Sequence, residues 1–530
     1  MNNPLMTGAD IMLCVAEFVH DNQYLFFASV SREWRHAWRH RPTVTSALTS
    51  TTSASQLAHS FRCGLQRGVG ICGSIASMGR LDLLESARAS GCPWDGSTCS
   101  MAARAGRLDT LKWLRENGCP WDASTCGGAA SGGHMSILRW ARTNGCVWDD
   151  STCWKAAREG HLEILQWAWT LGCPFKNRTF FFAARGGHLH ILQWLTEEIW
   201  LLDCSESTCV GAATGGHLDV LQWARSKGFA WSQSASAAAA EAGHLEVLQW
   251  AVANGCACDE NTCNSSAKGG HLACLQYLRQ HGCPWDEDTC YMAASRGHLD
   301  VLQWARANGC PWDELTCTGA AKGGKLEVLQ WARSNGCPWD EMTCVGAAAG
   351  GHLDILQWVR ANGCPWDAWT CSAAANMGRV DILRWARAHG CPWNEETCGA
   401  AAEGGHLSIL QWARANDCPW DEATCGLAAE GGHLAVLQWA QSKGCPWDEA
   451  TCSGAATGGH LDVLQWVRAN GCPWDETTCS RAARSGHLSV LQWARSNDCP
   501  WDAQTIEDAV SQGHGEIADW ASANGCPYTE

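Results

Sequence analysis

Residues 459–479 read GHLDVLQWVRANGCPWDETTC, which places one histidine, two cysteines and two tryptophans in one short stretch. Thiolates and an imidazole are the ligands of a tetrahedral zinc site. Two thiols are the minimum for disulfide chemistry, and all three residue types also fill cores. The spacings, C-x6-C and C-x7-H, are not the short knuckles of structural zinc. Phe180 and Ile506 take one cysteine slot where it recurs along the chain, and Phe229 takes the other. A position that phenylalanine can fill is a packing position. The cysteines therefore read as buried, reduced thiols, with disulfides and a metal ladder as the alternatives. The histidine slot holds Arg80, Arg107, Lys325 and Arg379 in four places, and those side chains do not ligate metal. It reads as a position near a turn that orders local backbone. Tryptophan at a fixed slot is expected to pack in the core.

These slots recur because the chain repeats. The glycine before HL falls at Gly79, Gly106, Gly133, Gly160, Gly187 and Gly216, and continues to Gly513. Each interval is 27 residues except the 29 from Gly187 to Gly216, giving seventeen units across 64–530. Each unit carries two helical signals. Thr478 is a good N-cap for a helix over CSRAARS, which Gly486 can end in left-handed conformation. HLSVLQWARSN is the second helix. In its counterpart Leu461, Val463, Leu464, Trp466 and Val467 cover most of the circumference, so its own first helix and the second helices of adjacent units must bury it. The expected fold is all-α: a helix–turn–helix repeat solenoid with a small N-terminal helical module. Identical residues in every unit single out no catalytic constellation, so no enzyme activity, no cofactor and no metal site are expected.

The 530 residues carry a net charge of −16 and a pI near 5.6, without the basic footprint of a nucleic-acid binder. No apolar run approaches a membrane span, and MNNPLMTGAD lacks the basic start of a secretory signal. The expectation is a cytoplasmic monomer, with the nucleus as alternative compartment, that binds a protein target and neither nucleic acid nor membrane.

Positions that differ between units are candidates for function. The residue after the first cysteine slot runs Gly127, Trp154, Phe181, Val210, Ala237, Asn264, Tyr291. Trp154, Phe181 and Val210 lie in consecutive units, and with Lys155 and Phe182 they form a candidate partner-binding patch. The units over 173–263 are the least regular and read as a bend, a binding site or neutral drift.

The recurrent AAKGGKLEVLQWARSNGCPWD resembles the ankyrin repeat, whose signature contains AAxxGHLEV, across about 470 of the 530 residues. Departures are the 27-residue period and a finger shortened to PWDE. The resemblance implies that the first helices line a concave binding face, shallower than in the family. Residues 1–42 lack the repeat. There, VAEFVHDNQYLFFASVSREWR is similar to an F-box, with Phe18, Leu25, Phe26, Val30 and Trp34 at matching positions but without the opening Leu-Pro. That implies a docking site for an SCF adaptor, and a substrate receptor of a ubiquitin ligase. The alternatives are a plain ankyrin scaffold and, further off, a Cys/His metal-binding array. The Ser/Thr-rich stretch 43–63 reads as a linker between module and array.

Overall fold

A computed structural model describes residues 67–198 and 205–527, together with 53–55, Leu57 and Phe61. The F-box-like positions Phe18, Leu25, Phe26, Val30 and Trp34 lie outside the described residues. Thirty-four helices and no strand occur among the described residues, so the all-α expectation holds. The chain divides into two compact units at Ala257/Cys258. The first holds seven helix pairs, from Val69–Met78 to Leu245–Ala253, and the second holds ten, from Glu260–Gly269 to Gly515–Ala523.

One pair shows how the sequence makes the element. The helix Glu476–Arg484 begins three residues earlier than the Thr478 cap predicts. Its N-cap is Asp475, the aspartate of PWD, in extended backbone, with Oδ1 accepting the Thr477 N–H at 3.1 Å. Aspartate wins because its carboxylate reaches the second amide of the helix and also complements the dipole. Thr478 lies one turn in and is buried. The helix stops before Gly486, at φ 82°, and Leu488–Ser496 follows.

First helices pack chiefly on the first helices of adjacent repeats within each unit, whereas second helices lie mainly on their own first helix. The expectation that second helices bury one another is thus only partly met. Side-chain size decides it. First helices face each other through Gly, Ala, Cys and Thr, so closely that a Cβ on Gly128 would come 2.5 Å from the Ser100 carbonyl oxygen. One on Gly454 would come 2.6 Å from that of Gly426. Second helices carry leucine and tryptophan, which hold them apart.

The part of 43–63 that is described is not a bare linker. Residues 54, 55, 57 and 61 are helical, and Leu57 and Phe61, one turn apart, are buried. Ser86 replaces the usual tryptophan in the first repeat, and its hydroxyl donates to the Ala54 carbonyl at 3.1 Å. A small residue at 86 accommodates this segment.

Candidate functional site

The described cysteines are all free, and all are buried except the half-exposed Cys258. Their roles differ by slot. The thiol that follows each second helix donates back to the backbone oxygen of the residue that caps the first helix of the same pair. Cys119 reaches Asp95 at 3.4 Å, Cys364 reaches Asp340 at 3.2 Å and Cys526 reaches Asp502 at 3.1 Å. Cysteine suits this slot because it is small, apolar and still a weak donor. The thiol on the first helix faces it inside the repeat, as Cys99 faces Cys119, and their hydrogen bond together with burial raises Cys99. Burial, helped by Cys92, pushes Cys72 up to about 12. Cys72 and Cys99 therefore remain protonated at neutral pH, whereas the hydrogen bond from Cys99 lowers its partner Cys119. Among the described residues no three Cys, His, Asp or Glu side chains converge to hold a metal ion.

The histidines act between repeats, not on their own turn. Nε2 of His433 lies 2.9 Å from the carbonyl oxygen of Glu403, the last residue of the preceding first helix, and His188 meets Arg158 in the same way at 2.9 Å. The ring thereby satisfies a terminal carbonyl that the helix leaves unpaired. Arg107 does the same with Nε, at 3.2 Å from the Ser77 oxygen. Where this link forms, the slot supplies a donor, a role that arginine fills as well as histidine.

The described tryptophans of the connector and second-helix slots are half-buried, not core. Each connector tryptophan meets the second-helix tryptophan of the next repeat edge to face, as Trp339 meets Trp358 at 6.0 Å. The arginine of its own repeat lies over its ring, with Arg333 4.0 Å from the Trp339 centroid, and also donates to the carbonyl of Cys337. Gln441 takes the arginine's place beside an unchanged Trp447, but other exceptions are matched. Where the connector carries Cys258, the facing position is Tyr277. Where Trp169 replaces the arginine, it packs on Phe175 at 5.6 Å. These contacts join repeats and leave no side chain to single out as a ligand site.

The residues that break the pattern on the first helices do come together. Trp154, on helix Asp150–Arg158, stacks on Phe182 of helix Arg178–Arg185, with centroids 4.5 Å apart and planes at 26°. Phe181 meets Phe182 edge-on at 5.2 Å. The expected neighbour of Trp154 was Phe181, but the close partner is Phe182, because the helices pack with this position opposite the residue one place earlier in the preceding repeat. Gly319 beneath Tyr291 shows the same offset. Comparing large residues across that offset in the sequence would have found the pair. Val210 is half-buried on the next first helix, Ser205–Gly215.

Cations surround the stack. Lys155 Nζ lies 5.4 Å, Arg158 5.8 Å and Arg178 5.2 Å from the Trp154 ring centroid. Burial, with Arg158 and Arg104 nearby, lowers Lys155 against the pull of Asp149. Lys176 and Arg178 also approach the largely buried Asp150 carboxylate, at 3.7 and 3.8 Å. An aromatic shelf edged by three cations can hold a planar or apolar group together with an anionic one.

No protein-family model matches the chain, and no curated protein matches it in sequence. Among solved structures it is similar to the pentatricopeptide repeat protein PPR10 in complex with an 18-nt psaJ RNA element. The identity is 12% over 98% of this chain and 89% of that one, with a TM-score of 0.27. It is also similar to PPR10 from maize, at 14% identity over 98% of this chain and 96% of that one, with a TM-score of 0.26. The exclusion of nucleic acid drawn from net charge is withdrawn. Net charge averages over the whole chain, whereas the Trp154 cluster gathers its cations locally. The chain is an all-helical tandem-repeat protein, a helix–turn–helix solenoid in each of its two compact units.

Proposed function

We propose that the chain is a non-catalytic, cytoplasmic protein-interaction scaffold of the ankyrin-like kind, which engages a protein partner through Trp154, Lys155, Phe181, Phe182 and Val210. The observation that carries this reading is the Trp154–Phe182 stack with its three flanking cations. It stands where Gly128, Gly211 and Ala238 occupy the Phe182 position of other repeats. Half-exposed aromatic and arginine side chains are the residue types that dominate binding energy at interfaces. The F-box-like spacing of Phe18, Leu25, Phe26, Val30 and Trp34 supports a second role, docking an SCF-type adaptor so that the array presents a substrate to a ubiquitin ligase.

Affinity recovery from cells tests both parts. Trp154→Ser with Phe182→Ser is expected to abolish recovery of the array partner while circular dichroism shows the helices intact. Deleting residues 1–45 is expected to lose the adaptor and keep the partner. Undiminished partner recovery by the double variant would remove the patch from the proposal. Absence of adaptor with the full chain would leave a scaffold without a ligase link.

A further inference from the structure

The second unit carries an apolar stripe with no counterpart elsewhere in the described array. Leu315, Met342 and Trp369 occupy the same position, the second residue of the first helix, in three consecutive repeats. They are 44%, 43% and 57% exposed. In other repeats this position is small, polar or charged, as in Ser97, Ser151, Asn261, Asp288, Ala450 and Thr477. Burial forces none of the three large side chains into place, and their alignment is not produced by the repeat itself. Beside them opens a recess of about 250 Å³, lined by Tyr291, Leu315, Met342 and Val345 together with Asp288 and Lys322. That volume takes one large apolar side chain.

Acidic groups flank the stripe. The capping residues Asp313, Asp340 and Asp367 accept the N–H groups of Leu315, Met342 and Trp369 at 3.0–3.1 Å, so each stripe residue stands beside a carboxylate. Glu287, Glu314 and Glu341 add a further row. The field is strong enough to act on its own members. Burial and the carboxylates of Asp286, Glu287 and Asp313 raise Asp288. Burial likewise raises Asp340, with Glu341 and Glu314 adding to it. Cations brought to this face would relieve that repulsion.

We propose that the Leu315–Met342–Trp369 stripe and its recess dock a basic amphipathic helix of another protein, which seats one large apolar side chain beside Tyr291 and lays lysine or arginine along the acidic flank. Packed helices repeat at about 10 Å, close to the roughly 10.5 Å that separates residues i and i+7 of a helix. A helix with heptad-spaced apolar residues therefore meets the three stripe residues in register. The surface shares no residue with the Trp154 cluster and does not depend on the function proposed for it.

The test uses the full chain and a fluorescent peptide of about three heptads, with leucine at the apolar positions and lysine at the polar ones. Fluorescence anisotropy is expected to show binding that weakens with salt. The same peptide with glutamate in place of lysine is expected not to bind. Leu315→Ser/Met342→Ser/Trp369→Ser should lower affinity at least about tenfold. These substitutions install the residue that other repeats carry, so an unchanged melting midpoint is the expected control. Glu314→Gln/Glu341→Gln should weaken binding and flatten its salt dependence. The proposal is overturned if the lysine peptide fails to bind, if both peptides bind alike, or if the serine variant binds as well as the parent. Direct binding of labelled single-stranded RNA that the serine variant abolishes would assign the stripe to nucleic acid instead. A dimer in sedimentation that the serine variant abolishes would assign it to a second copy of the chain. Either result also overturns the proposal.

Discussion

Asp417 and Asp498 adopt left-handed backbone, φ 64° and 63°, where the equivalent residues Gly91, Gly309 and Gly471 are glycine. A Cβ at those glycines would meet nothing within 4 Å, so glycine is there for its backbone freedom and not for space. Gly405 differs, because a Cβ on it would lie 2.6 Å from the ring of His433. An L-residue in this conformation costs about 1–2 kcal/mol, less for aspartate, and glycine gives part of the gain back in chain entropy. Asp417→Gly and Asp498→Gly are each expected to stabilise the protein by roughly 0.5–1 kcal/mol, read as a higher urea midpoint. By contrast, Gly405→Asp should destabilise it. An unchanged or lower midpoint in both aspartate variants would show that the two side chains repay the strain through contacts of their own.

At the scale of the element, the link made by His188 gives its repeat junction a pH dependence. Burial lowers His188, and His190 and His217 lower it further, while its bond to the Arg158 carbonyl works the other way. The folded value thus lies below the unfolded one of about 6.5. Its contribution to stability is fully present above the unfolded value and lost as pH falls through the folded one. His188→Arg keeps a donor, as at Arg107, but does not titrate. The expected result is a smaller drop in urea midpoint between neutral and mildly acidic buffer than in the parent chain, and equal drops would show that the link at 188 is not titrating. This link is also where sequence reading reached its limit. Period, helix pairs and the glycine stops were legible because each rests on local chemistry repeated many times. The partner of His433 lies 30 residues back, and nothing in the local pattern of either segment names the other. Half-burial of the tryptophans was missed for the same reason, since an aromatic at a fixed slot looks identical in a core and in a surface ladder. The Trp154 patch was found from variation between units, but its true stacking partner required the offset between neighbouring first helices.

For the molecule as a whole, each repeat buries its apolar face only against its own helices and its immediate neighbours, so stability is a sum of repeat and nearest-neighbour terms. Leu464 is fully buried on Leu461–Ala469, and Leu464→Ala should cost about 2–5 kcal/mol. In a single cooperative core that loss would appear in every amide that exchanges by global unfolding. Here it should stay local. Hydrogen exchange is expected to accelerate in Glu449–Gly458, Leu461–Ala469 and Glu476–Arg484, to fade beyond the adjoining repeats, and to leave the helices of the first unit at parent rates. The sparse packing among second helices sharpens the expectation. The mutated helix touches its neighbours chiefly through tryptophan, so the perturbation must pass through the close-packed first helices to travel at all. Faster exchange in both units alike would mean that the first-helix stack transmits stability along the whole chain, and nearest-neighbour additivity would fail for this protein.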